Sequence, residues 1–265
     1  MRITVFTSNQ PRHVSLIERL GEIAEQVFAV QECNTVFPGE IEDFFRKSEV
    51  MQDYFRRVIE AEAEVFGCPR FIERENVSQM AIRPGDLNRL GLEGLGPALH
   101  SDVYVVFGSS FIKGDLCDFL EENKALNLHI GTSPYYRGSS CNFWALYDGN
   151  PGYVGATIHL LTRGLDSGPM LFHALPAVQT CGPYLLGMLA VKAAHEGLVY
   201  HLKSDEIWRM EPVPQDKTFE IRYSRSRDFT DEAAREYLAR MATPNEIEAA
   251  LSARDLGDFI NPYLL

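Results

Sequence analysis

The sequence predicts an α/β fold: a mostly parallel, Rossmann-like sheet with helices on both faces and a small C-terminal appendage. Three observations carry that expectation. Short apolar runs alternate with amphipathic stretches over roughly the first 200 residues, the pattern of a parallel sheet covered on both sides. The best of these runs, Asp102 to Phe107 (DVYVVF), is apolar almost throughout, as a strand buried on two faces must be. Each run is closed by small or loop-forming residues, as at Gly108-Ser109-Ser110 and Gly131-Thr132-Ser133-Pro134.

Taken in order, Ile3 to Phe6 reads as a buried strand, and Leu16, Ile17, Leu20, Ile23, Ala24 and Val27 recur at helical spacing after it. Val27 to Gln31 is a second strand. Glu40 to Phe66 reads as one long helix or two abutting ones, with Phe44, Phe45, Met51, Phe55, Val58, Ile59, Ala63 and Phe66 directed inward. Arg83-Pro84-Gly85-Asp86 is a turn and Leu87 to Leu99 a weaker, glycine-broken helix. After the DVYVVF strand come a helix from Gly114 to Asn123, strands at Ala125 to Ile130, Val154 to Leu161 and Met170 to Val178, and a helix from Tyr184 to Leu202. These define a domain over residues 1–203. Residues 204–265 are polar and proline-rich at first, then carry a short strand at Phe219 to Tyr223 and helices at Thr230 to Met241 and Pro244 to Ser252. About 60 residues are too few to expect an independent core with assurance, so they read as an appendage.

Composition narrows the function. Hydrophobic residues make up 45% and charged ones 23%, ordinary for a globular chain. Net charge is -12, from 25 basic and 37 acidic residues. Nucleic acids and anionic membranes are held through accumulated Lys and Arg charge, so neither is an expected partner. The five cysteines are scattered and never in CxxC spacing, which favours reduced thiols in a cytoplasmic protein over disulfides or zinc. The first loop, Thr7-Ser8-Asn9-Gln10-Pro11-Arg12-His13, lacks the glycines a dinucleotide fold needs for close backbone approach to a pyrophosphate. Arg12 and His13 near a helix start are an anion-site candidate, with a solvated loop the equal alternative.

The chemistry concentrates between Asn127 and Met170. In a strand, period two places Asn127 and His129 on one face, at its C-terminal end, where open α/β sheets bind ligands. The loop Thr162-Arg163-Gly164-Leu165-Asp166-Ser167-Gly168 follows a neighbouring strand and delivers a carboxylate towards them. An amide to hydrogen-bond an oxyanion, an imidazole that titrates near neutrality and a carboxylate to orient it suit acyl transfer to an amine.

Asn127-Leu128-His129, Pro134 five positions after the histidine, Arg137-Gly138 and Gly164-Leu165-Asp166-Ser167-Gly168 together resemble the 10-formyltetrahydrofolate-dependent formyltransferases. The likeness covers roughly Asp102 to Val178. It implies catalytic roles for Asn127, His129 and Asp166, with 10-formyltetrahydrofolate as co-substrate and no metal. A facial metal triad of His129, His159 and Asp166 is the weaker alternative. The resemblance places Gly108, Phe111, Ile112 and Lys113, and Leu161, Thr162 and Gly164, along the pterin site. Phe111 stands where the family often has arginine, and core packing competes as the role of Phe111 and Ile112. Thr157 and His159 match a polar pair beside the site. Among family branches, the sugar N-formyltransferases are most similar. The first loop lacks the Gly- and Ser-rich ribose-phosphate signature of glycinamide ribonucleotide transformylase. The tail is short for the C-terminal barrel of methionyl-tRNA formyltransferase, and the first strand begins by Ile3, leaving no room for the N-terminal domain of formyltetrahydrofolate hydrolase. That branch implies a nucleotide-linked amino sugar as partner and a place in lipopolysaccharide O-antigen biosynthesis, with Tyr136, Arg137, Asn142 and Trp144 on the sugar side; formyl transfer to another small amine, or a non-catalytic folate- or sugar-nucleotide-binding module, is the alternative. Packing competes with this role for Trp144 and Phe143. Arg222, Arg225 and Arg227 are a further diphosphate candidate against a solvated basic face. A homodimer through the stripe Ala234, Tyr237, Leu238 and Met241 is left open, since no heptad is sustained.

Overall fold

The computed structural model describes residues 1–35 and 48–265. Phe44 and Phe45, expected inward on a helix from Glu40, lie outside them. The chain runs β1 (Arg2–Ser8), α1 (Pro11–Gly21), β2 (Gln26–Glu32), α2 (Glu49–Phe66), β3 (Val77–Ile82), a short α3 (Leu92–Leu95), β4 (Val103–Val106), α4 (Gly114–Glu122), β5 (Leu126–His129), β6 (Tyr136–Gly138) and α5 (Cys141–Tyr147). It continues through β7 (Ala156–Leu160), β8 (Met170–Leu175), α6 (Pro183–Lys203), β9 (Arg222–Ser224), α7 (Asp231–Ala239), α8 (Pro244–Ser252) and β10 (Tyr263–Leu264).

Eight strands form one sheet in the order β10-β8-β7-β5-β4-β1-β2-β3. Neighbours are parallel except at β7, which runs against both β5 and β8. The mostly parallel α/β architecture expected from the sequence is therefore present. Alternation along the strands divides the core. Ile3 and Val5 of β1 with Val103 and Val105 of β4 meet Leu16, Ile17 and Leu20 of α1 and Val191, Ala194 and Leu198 of α6 on one face. Phe6, Tyr104 and Val106 point the other way, onto Leu116 and Leu120 of α4 and onto Leu87 and Leu95. The stretch expected as one helix from Leu87 to Leu99 is instead a chain of single turns, Asp86–Arg89, Leu92–Leu95 and Gly96–Leu99. Gly91, Gly94 and Gly96 deny it the continuous backbone stiffness a helix needs.

Residues 204–265 share the main body's core rather than enclosing one of their own. Ala234 and Tyr237 of α7 and Ile247 and Leu251 of α8 pack with Phe143 and Trp144 of α5 and with Leu186 and Ala190 of α6. Thr230 caps α7 through Ala233 N, and Thr243 with Glu246 forms a reciprocal cap on α8. β9 pairs with β6 in a separate two-stranded sheet, and β10 completes the edge of the large one. His173 joins these parts: one ring nitrogen donates to the Ser133 carbonyl at 2.7 Å and the other accepts from Ile260 N at 2.8 Å. No helix among the described residues is long and apolar enough to cross a membrane.

Candidate active site

The chain leaves β1 for β2 and β3 on one side, then crosses to β4 and β5 on the other. Such a reversal of strand order opens a crevice at the carboxyl ends of the strands. Here it holds a cavity of about 290 Å³. Its floor is Asn127 and His129 of β5 and His159 of β7, one wall is Gly108 to Ile112, and the other is Leu161 to Asp166.

The cavity brings the three polar residues together. Asn127 Nδ2 donates to Asp166 Oδ1 at 3.0 Å, and His129 Nδ1 lies 3.4 Å from Asp166 Oδ2. Antiparallel pairing sets Asn127 directly opposite His159. Asn127 Nδ2 also reaches His159 Nε2 at 3.0 Å, while His159 Nδ1 meets the Leu160 carbonyl at 2.8 Å. Those contacts assign one tautomer: Nδ1–H donates to the carbonyl and Nε2 accepts from the amide. Burial lowers the pKa of His159 to about 4, which keeps that acceptor lone pair free of a proton near neutrality. His159 thus orients the amide whose other hydrogen goes to Asp166.

His129 Nε2 lies 3.4 Å from Cys141 Sγ, and burial raises the pKa of that thiol well above its ordinary value. Cys141 is therefore a neutral neighbour, not a thiolate competing for the site. Asp166 adopts φ +44°, a left-handed conformation that Asp tolerates better than most residues. The loop that presents it is closed by Gly168, where a Cβ would stand 1.7 Å from the Leu160 carbonyl oxygen.

The opposite wall is held from beneath. Glu32, at the end of β2 and buried, accepts from Gly85 N at 2.6 Å and Ser110 N at 2.5 Å. Asn88 donates to the Phe111 carbonyl at 2.9 Å and accepts from Lys113 N at 2.7 Å. At Gly108, with φ +68°, a Cβ would approach His13 Nε2 to 2.5 Å, so only glycine fits there. Sequence reading missed Glu32, Asn88 and Cys141. No spacing or composition marks a side chain whose role is to fasten a distant loop. His159 had been singled out, but its bond to Asn127 follows from strand register, which the sequence does not display.

Of the expected folate-side residues, Gly108, Phe111, Ile112, Leu161, Thr162 and Gly164 all line this cavity. Lys113 does not; it is exposed, with its ammonium over the Phe111 ring. The sugar-side expectations fare differently. Tyr136 is 1% exposed, its hydroxyl held by Asn150 at 2.7 Å, and Trp144 is 4% exposed beneath the Arg222 guanidinium. Neither ring offers a free face for stacking, because both complete the core under α5, α7 and α8. Arg137 is buried and paired with Glu220 at 2.9 Å, and Arg222 grips Asp148 through two bonds of 2.9 and 2.6 Å. In this conformation neither cation is free for a phosphate, while Arg225 and Arg227 remain exposed. Asn142 is the exception: its Oδ1 accepts from Gly155 N, and its side chain faces a second, adjoining cavity. Among the described residues, no group of three or more His, Cys, Asp or Glu is placed to hold a metal ion.

The α/β fold and the convergence of amide, imidazole and carboxylate agree with the resemblance to formyltransferases drawn from the sequence. Residues 75–182, less than half of the chain, are similar to the family model described as formyl transferase, and that stretch contains Asn127, His129 and Asp166. The methionyl-tRNA formyltransferase of Synechococcus sp. (strain JA-3-3Ab) is 31% identical over 121 residues, which is 45% of this chain and 37% of that protein. The match thus spans little more than a third of the curated relative. Two solved structures share the fold over nearly the whole chain. A 4-N formyltransferase from Francisella tularensis has TM-score 0.52 and 15% identity, covering 96% of this chain and 86% of that one. A formyltransferase from Anoxybacillus kamchatkensis, in complex with UDP-4,6-dideoxy-4-formamido-L-AltNAc and tetrahydrofolate, has TM-score 0.50 and 15% identity, covering 95% and 100%.

Proposed function

We propose that this protein transfers the formyl group of 10-formyltetrahydrofolate to a primary amine, and that the amine belongs to a nucleotide-linked amino sugar. The observation that carries the reading is Asp166 accepting from Asn127 while facing His129, at the head of a cavity walled by residues 108–112 and 161–166. Apolar Ile112 and Leu161 with interleaved backbone groups suit a flat heterocycle that carries hydrogen-bonding edges. The sugar assignment draws support from two fold relatives, a 4-N formyltransferase and a formyltransferase in complex with a formamido sugar nucleotide. By the same resemblance, the work belongs to cytoplasmic assembly of O-antigen sugars.

In the proposed reaction the amine nitrogen attacks the formyl carbon and forms a C–N bond, leaving an oxyanion and a positively charged nitrogen. Asn127 keeps its bond to His159 and redirects to the oxyanion the amide hydrogen that Asp166 accepts in the resting site; one such donor typically contributes ~3 kcal/mol. His129 takes the proton released by the attacking nitrogen through its Nε2 side, with Nδ1 held towards Asp166. Collapse breaks the bond to N10 of the folate, which receives a proton, and the product is an N-formyl amide. A panel of amino-sugar nucleotides with 10-formyltetrahydrofolate, followed by tetrahydrofolate release, tests this directly. Turnover is expected with at least one of them and should fall at least ~100-fold in His129→Ala. Undiminished turnover in that variant, or no turnover with any amine, overturns the proposal.

A further inference from the structure

The second cavity, about 290 Å³, adjoins the first: both are lined by Phe107, Gly108 and Ile130, the last next in sequence to His129. It lies between α2, α5, α6 and α7. Its walls are Tyr54, Phe143, Leu146, Met188, Val191 and Tyr237. Three polar groups with buried atoms that have no hydrogen-bond partner among the described residues also line it: Asn142 Nδ2, Tyr184 OH and His13 Nδ1. Asn142 and His13 are 9% and 3% exposed, so water does not serve them freely. Arg12 stands at the rim, but its guanidinium is paired with the buried Glu62 at 2.9 Å, and its backbone N–H donates to the same carboxylate at 3.0 Å. The anion site expected at the start of α1 is therefore already filled by a side chain.

Gly187 is the second, independent sign. It lies inside α6, and a Cβ built there meets nothing within 4 Å. Glycine in a helix interior destabilises the helix relative to alanine. No close contact requires it here; its missing side chain is room in the cavity.

We propose that this cavity is an acceptor-side subsite that receives a neutral, ring-sized group with a largely apolar surface and one or two hydrogen-bonding atoms, borne by the amine substrate. The inference rests on the formyl-transfer reading for its placement, and it adds that no phosphate of the acceptor sits at the start of α1. A pyranose stripped of hydroxyls and an aromatic or branched aliphatic amine share this chemistry. A fully hydroxylated sugar does not, because most of its hydroxyls would face carbon.

The probe is p-cresol, titrated calorimetrically into the full chain and into the variants Gly187→Ala and Gly187→Leu, with folinic acid titrated separately. Saturable p-cresol binding is expected in the wild type and in Gly187→Ala, weakened at least tenfold in Gly187→Leu, with folinic acid binding equal in all three. Absence of saturable binding in the wild type, or equal binding by Gly187→Leu, overturns the subsite. A second measurement needs no variant: p-cresol should compete with the amine substrate and not with 10-formyltetrahydrofolate, and the reverse pattern also overturns it. If folinic acid does not bind, the formyl-transfer reading fails, yet the p-cresol titration still decides whether the cavity takes a neutral ring. Amine specificity separates the two sources: turnover confined to deoxyamino sugars assigns the sugar, and turnover confined to aryl or alkyl amines assigns those.

Discussion

At the scale of single residues, Asp166 is the hinge of the site. One oxygen accepts from Asn127 and the other faces His129, so the carboxylate sets two side chains at once. Asp166→Asn is the cleanest probe, because asparagine tolerates the φ of +44° and keeps the size. We expect the variant to fold with unchanged thermal stability to within ~1 kcal/mol and to lose at least ~100-fold in kcat, with folinic acid affinity retained. Retained kcat would reduce the carboxylate to a packing element. The residue scale is also where sequence reading divided most sharply. The convergence of Asn127, His129 and Asp166 was legible because a strand's period of two puts the first two on one face at its end, and the loop after the neighbouring strand carries the third. Tyr136 and Trp144 were not. An aromatic ring bears the same signature whether it awaits a ligand or fills a core, and here Asn150 and Arg222 already occupy their polar edge and face.

At the scale of elements, the antiparallel strand β7 does the positioning. Its register sets His159 opposite Asn127, and its exit loop returns Asp166 to the same spot. That loop turns on Gly168, where any Cβ would collide with the Leu160 carbonyl at 1.7 Å. Gly168→Ala should therefore lower stability by ~2 kcal/mol or more and lower kcat as well, readable in a urea midpoint and a tetrahydrofolate-release assay. A midpoint like that of the wild type would mean the loop relaxes freely. Strands β1, β2, β4, β5, β7 and β8 were legible to within a residue or three, because a parallel sheet buried on both faces leaves unbroken apolar runs. Strand β3 (VSQMAI) and the two-residue β10 were not: β3 is an edge with mostly exposed side chains and no alternation to see. The direction of β7 was illegible too, since hydrophobic period is the same for parallel and antiparallel pairing.

At the scale of the whole molecule, three buried imidazoles make stability depend on pH. Burial lowers the pKa of His159 and His173 to about 4 and of His195 to about 3, and both nitrogens of His195 lack partners among the described residues. All three folded values lie below the ordinary 6.5, so in the window between them the unfolded chain binds more protons. Stability is then full above about pH 6.5 and falls as pH drops towards 4, by up to about 3 kcal/mol for each imidazole on linkage arithmetic. Urea midpoints at pH 7 and pH 5 check this. His195→Phe, which places an apolar ring beside Phe66 and Phe107, should flatten part of the slope.

His173 gives that dependence a location. Its ring clasps the segment after β5 on one side and the stretch around Ile260 on the other, and the second grip needs a lone pair that a proton abolishes. Acid should thus unbuckle the tail from the sheet margin. A fluorophore near Leu265 would register that release at a pH where far-UV dichroism still reports an intact fold, and the loop beside His129 would loosen in the same step.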